Sequence, residues 1–299
     1  MDFRPMLEQH LRTGSDITIA AKPMPSDQVS ALGVMRVDTD LRISEFVEKP
    51  KDPALVRGLA LQGEARSRLA DTSDRSYCLA SMGIYLVSGK RLREALSDPL
   101  QTDFGKEVIP GMVNSHRVTA FVYDGYWEDI GTVGSFWECN LTLTDPVPPF
   151  DFFDGANPVY THARYLPPAK INGARAHRVI LADGCIVDDA DLERCVIGIR
   201  SVIHTGSRLE NTVMMGADVY ERPDDFIRNR EKNRPDIGVG PGCHIRQAII
   251  DKNARIGANC RLSPAGLAEK TETDAWYVRD AILVVKKNAI IAPGTVVGE

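Results

Sequence analysis

The sequence has little of what marks a membrane protein, a zinc protein or a disulfide-bonded protein. Its 299 residues are 43% hydrophobic, but the longest apolar runs, such as 281–285, are far too short to span a bilayer. The six cysteines lie far apart with no C-x-x-C pair, and the six histidines form no H-E-x-x-H group. No membrane partner, structural zinc or disulfide framework is therefore expected.

An excess of positive charge is also missing. The formal net charge is −5 and the basic residues are scattered, so nucleic acid is not an expected partner. The segment 1–5 has neither the basic and apolar regions of a signal peptide nor the composition of a transit peptide. These features predict a cytoplasmic location, in a reducing compartment.

The length predicts two domains, and two different sequence periods agree with that. Short apolar strands at 16–21, 33–37 and 83–87 alternate with helical stretches, which indicates an α/β sheet. A stretch rich in proline and aromatic residues follows and predicts an extended, packed connector. The predicted limits are residues 1–145 for the first domain, 146–175 for the connector and 176–299 for the second domain.

The second domain has a hexad repeat of aliphatic residues, with occasional steps of five. They are Ile180, Ile186, Leu192, Ile197, Ile203 and Leu209, then Val239, Ile245, Ile250, Ile256 and Leu262, then Val284, Ile290 and Val296. One hexad makes a strand and a turn, so the repeat predicts a solenoid in preference to a β-sandwich. The charged run 220–236 interrupts it and predicts a surface loop with solvated charges.

Some short segments of the first domain combine charge, glycine and aromatic residues. An apolar strand ends in Glu48, Lys49 and Pro50, and ligands bind at strand ends in α/β sheets. There a lysine can meet a phosphate and a glutamate a sugar hydroxyl, although a solvated turn is the alternative. The small residues of 79–85 can form either a ligand contact or a buried strand start.

Two further segments contain glycine next to acids. The D-F-G of 103–105 lacks the other protein-kinase motifs, so a kinase is excluded. In 124–132, two adjacent carboxylates lie between aromatic residues and a glycine, which suits Mg²⁺, with a solvated acidic turn as the alternative. The glycine-rich 238–242 lies inside the hexads, which favours a structural role.

Together these segments resemble the glucose-1-phosphate adenylyltransferase family, over essentially the whole chain. The shared motifs are E-K-P at 48–50, L-A-S-M-G-I-Y at 79–85, D-F-G-K-E at 103–107, D-G-Y-W-E-D-I-G-T at 124–132, M-G-A-D at 215–218 and D-K-N-A-R-I-G at 251–257. The resemblance implies the C-terminal part of a Rossmann-like nucleotidyltransferase domain, followed by a left-handed parallel β-helix of hexapeptide repeats.

The resemblance also implies a reaction in glycogen or starch biosynthesis. ATP and glucose 1-phosphate would give ADP-glucose and pyrophosphate, with Mg²⁺ as cofactor. Lys49 and Asp129 match the family's catalytic residues, with Asp129 as a metal ligand. The residues that match the sugar-phosphate site are Glu48, Lys49, Ser81, Tyr85, Asp103, Phe104 and Trp127.

Regulation and assembly are implied in the same way. Lys252, Arg255 and Lys287 match a group that binds a phosphorylated effector, and solvated corner residues are the alternative. A homo- or heterotetramer is implied. The family's glycine-rich nucleotide loop has no match here, so we expect a chain that begins after it and has impaired catalysis.

Two other functions fit parts of the sequence. A non-catalytic regulatory or assembly subunit of the same enzyme is one. A hexapeptide-repeat acyltransferase using His177, His204 or His244 is the other, and it leaves Glu48–Pro50 unexplained.

Overall fold

The structure is a computed structural model that describes residues 1–63, 75–97 and 103–298. The chain divides into two compact units, Met1–Trp127 and Glu128–Glu299. The domain limits drawn from the sequence at 145 and 175 stay predictions.

The first unit is built on a five-stranded mixed sheet in the order β3-β2-β4-β1-β5. Strands β1 and β5 are parallel, and the other neighbours are antiparallel. This sheet confirms the predicted α/β class. The strands are β1 (Ile17–Pro25), β2 (Gly33–Val37), β3 (Ile43–Glu48), β4 (Tyr77–Val87) and β5 (Val118–Val122).

Short helices pack on this sheet. They are α1 (Arg4–Thr13), α2 (Pro53–Gly58), α3 (Gly89–Ala95) and a π-helical turn (Phe104–Val108) that continues into α4 (Ile109–Val113). α1 and α2 begin with a proline in the first turn, where no backbone donor is needed. Ile109 and Met112 pack with Ile17, Ile19 and Leu79 in the main core of the unit. Within the described ranges, no helix is long and apolar enough to cross a membrane.

The second unit begins with α5 (Val133–Thr142), which packs on a parallel β-helix. Thr132 and Ser135 form a capping box at its start. Leu141 packs with Val213 and Ile249 of the β-helix. The Trp137 indole donates a hydrogen bond to the Asn211 carbonyl at 2.9 Å. The helix is thereby fixed to one face of the solenoid.

The coils of the β-helix stack strand on strand in two long sheets. Their strands are β6 (Lys170–Asn172), β7 (Arg175–Leu181), β8 (Ile186–Asp188), β9 (Asp191–Ile197), β10 (Val202–Ile203), β11 (Arg208–Met214), β12 (Gly238–Val239), β13 (His244–Ile250), β14 (Arg255–Ile256), β15 (Arg261–Leu262), β16 (Trp276–Arg279), β17 (Ile282–Val285), β18 (Ile290–Ile291) and β19 (Val296–Val297). All pairs are parallel except β16 with β17. The predicted solenoid is confirmed.

Each seven-residue strand turns a corner at its middle residue. Arg178, Arg194, Asn211 and Gln247 have φ between 46° and 55°. The first half of β13 pairs with β15 and its second half pairs with β17. One bent strand therefore contributes to two faces of the β-helix. The five-residue steps in the aliphatic series, 192 to 197 and 245 to 250, cross two of these corners.

The predicted register is wrong by one residue in two parts of the series. At the end of the chain the buried residues are Val285, Ile291 and Val297, whereas Ile290 and Val296 are 51% and 64% exposed. In the first coil, Leu181 pairs with the buried Ile197, and Val187 is buried in place of Ile186. Two adjacent aliphatic residues occur at each of these positions, and spacing alone does not select the inward one.

The charged insertion and the connector also differ from expectation. The insertion contains α6 (Pro223–Glu231) in place of a simple loop, and its Glu221 side chain is 6% exposed. In the predicted connector, residues 146–157 form mainly bends and turns and 158–169 have no regular secondary structure, and its exposed aromatic residues are not packed within their unit as predicted. Phe153, Tyr160 and Tyr165 are 94%, 91% and 95% exposed.

Replacing Ile291 by alanine is expected to lower the free energy of unfolding by about 2–4 kcal/mol, because its side chain fills the solenoid core. Ile290→Ala, one residue away on the exposed side, is the matched control and should cost less than about 1 kcal/mol. Urea unfolding followed by circular dichroism measures both. Equal losses would contradict the register given above.

Candidate functional site

The candidate site lies where β3 ends in the first unit. Glu48 is the last residue of the strand, and its side chain is 21% exposed. Lys49 follows with φ 50°, and its backbone N–H donates to the Leu32 carbonyl at 2.9 Å. Its Nζ is 3.9 Å from Glu48 Oε1 and is largely in solvent. The strand end therefore presents an ammonium group beside a carboxylate.

The π-helical turn brings a second carboxylate to the same region. Asp103 caps this turn, accepting hydrogen bonds from the N–H groups of Gly105 and Lys106 at 2.9 and 3.0 Å. The N–H of Lys106 is the main reason that the pKa of Asp103 lies below its usual range. Asp103 is therefore held as a carboxylate by the backbone it caps.

An aromatic pair lies beside these groups. Tyr85 and Phe104 stack with ring centroids 5.8 Å apart. Burial raises the pKa of Tyr85, a hydrogen bond with the Ser81 side chain acts against this, and the charges of Glu48 and Asp103 raise it further. Ser81 and both carboxylates are therefore near enough to Tyr85 to affect its hydroxyl.

Two glycines allow the Glu48 carboxylate to reach this position. A Cβ atom at Gly105 would lie 2.8 Å from Glu48 Oε2, and a Cβ atom at Gly33 would be equally close. Neither position has room for a side chain. Sequence reasoning missed both as positioning residues, although Gly105 stands inside the D-F-G-K-E motif and Gly33 pairs with Glu48 in β2–β3.

The structure thus brings together Glu48, Lys49, Ser81, Tyr85, Asp103 and Phe104. Trp127 packs elsewhere, with Met6, Ala20 and Met82. Ile19 and Ala21 of β1 pack in the main core with Tyr85, and Ala20 between them points to the opposite face of the sheet. Trp127 therefore lies on the opposite face from Tyr85. The role of Trp127 in sugar binding stays a prediction.

The remaining predicted catalytic residue, Asp129, belongs to the second unit and is exposed. Its carboxylate oxygens lie 3.5 Å from where a Cβ atom of Gly131 would stand. In the part of the chain that the structure describes, no three acid, histidine or cysteine side chains form a metal cluster. The role of Asp129 as a metal ligand stays a prediction.

Two of the three predicted effector-binding cations share one acid. Lys252 Nζ is 3.0 Å from Asp218 Oδ1, and Lys287 Nζ is 4.0 Å from its Oδ2. Hydrogen bonds from the Asn253 and Lys252 side chains hold the pKa of Asp218 below its usual range. These two lysines lie on adjacent coils and leave a local excess of one positive charge.

Arg255 has a different environment. Its guanidinium is 2.8 Å from both Glu221 Oε1 and the Pro235 carbonyl, and its side chain is 13% exposed. Buried Asn229 of α6 donates to the same Glu221 oxygen at 2.7 Å. Arg255 therefore fastens the charged insertion to the β-helix, and Glu221 is not solvated as the sequence suggested.

The fold and this strand-end site define a class, a nucleotidyltransferase domain followed by a β-helix. Residues 1–146 match the family model "Nucleotidyl transferase", and residues 164–296 match "GLGC left-handed parallel beta-helix domain". The chain is 39% identical to the wheat (Triticum aestivum) protein "Glucose-1-phosphate adenylyltransferase small subunit, chloroplastic/amyloplastic", over 99% of this chain and 64% of that protein. This chain belongs to the glucose-1-phosphate adenylyltransferase family.

Gly105→Ala is expected to displace the Glu48 carboxylate and to lower the free energy of unfolding by about 1–3 kcal/mol, because the new methyl group overlaps Oε2. Gly111→Ala in α4 is the control, since nothing lies within 4 Å of its Cβ position. Denaturant unfolding measures both variants. If both tolerate alanine equally well, the contact between Glu48 and Gly105 does not exist in solution.

Arg255→Ala should cost about 3–5 kcal/mol of stability, because it leaves the buried Glu221 charge without its cation, with only the Asn229 amide and the Ile237 N–H still donating to it. Lys287→Ala, at an exposed cation of the same predicted group, should change stability by less than about 0.5 kcal/mol. Thermal unfolding compares the two. A small effect at Arg255 would place it in a solvated environment instead.

Proposed function

We propose that this chain is a glucose-1-phosphate adenylyltransferase component whose first unit binds glucose 1-phosphate at the end of β3. The observation that carries the proposal is the convergence of Lys49 and Glu48 with the Tyr85–Phe104 pair. A cation for a phosphate, carboxylates for hydroxyl groups and an aromatic surface for a sugar ring are the three groups that such a ligand needs.

Each residue then has a separate task. Lys49 neutralises the phosphate from its exposed position, with a point charge on a flexible stem. Glu48 and Ser81 hydrogen-bond sugar hydroxyls, and their positions are fixed by the two glycines and by the hydrogen bond of Gly83 N–H to Ser81 Oγ at 3.2 Å. Tyr85, Phe104 and Asp103 shape the pocket, with Trp127 as a further proposed member.

The proposed reaction is attack of the sugar phosphate on ATP, giving ADP-glucose and pyrophosphate. The wheat relative carries this activity in its name, and the chain spans 64% of that relative's length. Holding two anions in line and neutralising their charge supplies most of the rate enhancement in such transfers. The proposed pathway is glycogen or starch biosynthesis, and the proposed location is the cytoplasm.

Mg²⁺ is the proposed cofactor, with Asp129 as one ligand. The donor set fits, because Asp129 is an exposed carboxylate that forms no ion pair within the described ranges, and Mg²⁺ usually takes one or two protein carboxylates with phosphate and water oxygens. When bound, the ion would neutralise charge on the reacting phosphates.

Assembly and regulation complete the proposal. The relative's name calls it a subunit, which supports an assembly of several chains, and a homo- or heterotetramer is proposed. Lys252 and Lys287 are proposed to bind a phosphorylated effector, since Asp218 balances only one of their charges. Arg255 would act in this group by holding the coil that carries Lys252.

Lys49→Ala should weaken glucose 1-phosphate binding to this chain roughly tenfold or more, because a charge-assisted contact is lost. Lys51→Ala removes the same charge from an exposed position two residues away and should change the affinity less than about twofold. Isothermal titration calorimetry measures both. If the two substitutions weaken binding equally, general electrostatic attraction explains it and Lys49 has no specific role.

A further inference from the structure

One face of the β-helix carries two columns of outward-pointing residues. This face is made by the first halves of the bent strands and by β15. The strand register gives the columns Arg175, Asp191, Arg208, His244 and Arg261, and His177, Glu193, Glu210 and Arg246. Neighbours in a column lie about 4.8 Å apart along the stack, since that is the spacing of paired strands.

Acidic side chains lie next to basic ones at the start of these columns. Arg175 Nε is 3.7 Å from Asp191 Oδ1, and His177 Nδ1 is 2.8 Å from Glu193 Oε1. In the next coil, Arg208 pairs with Glu210 of its own strand at 2.5 Å. Every acid of this face is therefore already paired with a basic side chain.

At the other end of the columns, near β15, basic side chains lie next to one another with no acid between them. His244 lies between Arg208 and Arg261 in one column, and Arg246 projects from the same strand as His244. Among residues 1–63, 75–97 and 103–298, the side chains of His244, Arg246 and Arg261 have no hydrogen-bond or ion-pair partner. Arg246 and Arg261 are diagonal neighbours on paired strands, close enough for their like charges to repel, and no acid within the described chain is paired with either of them.

These basic side chains line a single open groove of about 380 Å³. Its one acidic lining residue is Glu210, which already pairs with Arg208. Two arginines without partners, Arg246 and Arg261, thus border the groove, and His244 lies on the strand of Arg246, opposite Arg261. A guanidinium donates two parallel hydrogen bonds to a phosphate, and two of them match the charge of a phosphate dianion.

We propose that this groove is an anion site on the β-helix itself, and that it takes a small phosphate-bearing molecule. It is distinct from Lys252 and Lys287, whose charge Asp218 partly balances. A second copy of this chain, bound through the same face, is not the favoured ligand of the groove. The acids of that face already pair with basic side chains of their own chain, so they are not available to Arg246 and Arg261. The proposal does not depend on the sugar-phosphate site in the first unit.

The test is calorimetric titration of the full chain with inorganic phosphate, using Lys49→Ala as background so that the strand-end site does not contribute. Arg261→Gln and Arg246→Gln should each weaken phosphate binding roughly tenfold or more. Arg175→Gln removes the same charge from the same face, where it is paired with Asp191, and should change the affinity less than about twofold.

A second readout separates this site from general charge effects. Without phosphate, Arg261→Gln should raise the thermal unfolding midpoint, because it relieves repulsion with Arg246, the diagonal neighbour of Arg261. With phosphate, the parent chain should be stabilised and the variant should not. No saturable binding, equal effects of Arg261→Gln and Arg175→Gln, or loss of binding only with Lys252→Gln and Lys287→Gln would each overturn the proposal.

An outcome that identifies another occupant would also overturn it. If Arg261→Gln converts an oligomer to a smaller species by light scattering and the parent chain does not bind phosphate, the surface is a subunit contact. Unchanged mass with loss of phosphate binding supports the anion site.

Discussion

The close contact of the Glu48 carboxylate with the backbone of Gly33 and Gly105 is the constraint on which the candidate site depends. It joins the end of β3 to the π-helical turn, so Lys49 and Phe104 come from distant parts of the chain to one place. A side chain at Gly105 would require the Glu48 carboxylate to move, and one at Gly33 would require the Phe46 ring to move as well. Burial, and after it the negative charges of Glu48 and Asp103, raise the pKa of Tyr85, which favours a protonated hydroxyl that can donate a hydrogen bond.

The β-helix depends on a different constraint, the repetition of one bend. Each long strand turns at a left-handed residue, and this places its two halves on two faces of the solenoid. The hexad spacing predicted a solenoid, because six residues make one strand and one turn, and the family resemblance implied the β-helix. It did not predict the register of Ile290–Ile291, since only packing decides which of two adjacent aliphatic residues points inward.

The candidate site was predictable only in part, because local patterns name residues but not the contacts between distant segments. Glu48 and Lys49 stand at a strand end that the apolar pattern reveals, and the motifs named Ser81, Tyr85, Asp103 and Phe104. The positioning role of Gly105 and the burial of the Arg255–Glu221 pair depend on contacts between segments far apart in sequence. No local pattern contains that information. The unpaired cations of the β-helix groove likewise emerge only when the coils are stacked in register.

Binding of glucose 1-phosphate at the end of β3 is tested most directly by a crystal structure of this chain with that ligand. We expect the phosphate within hydrogen-bonding distance of Lys49 Nζ, the sugar ring against Tyr85 and Phe104, and sugar hydroxyls on Glu48 and Ser81. A ligand held away from these residues, with its phosphate on other cations, would show that the end of β3 is not the sugar-phosphate site.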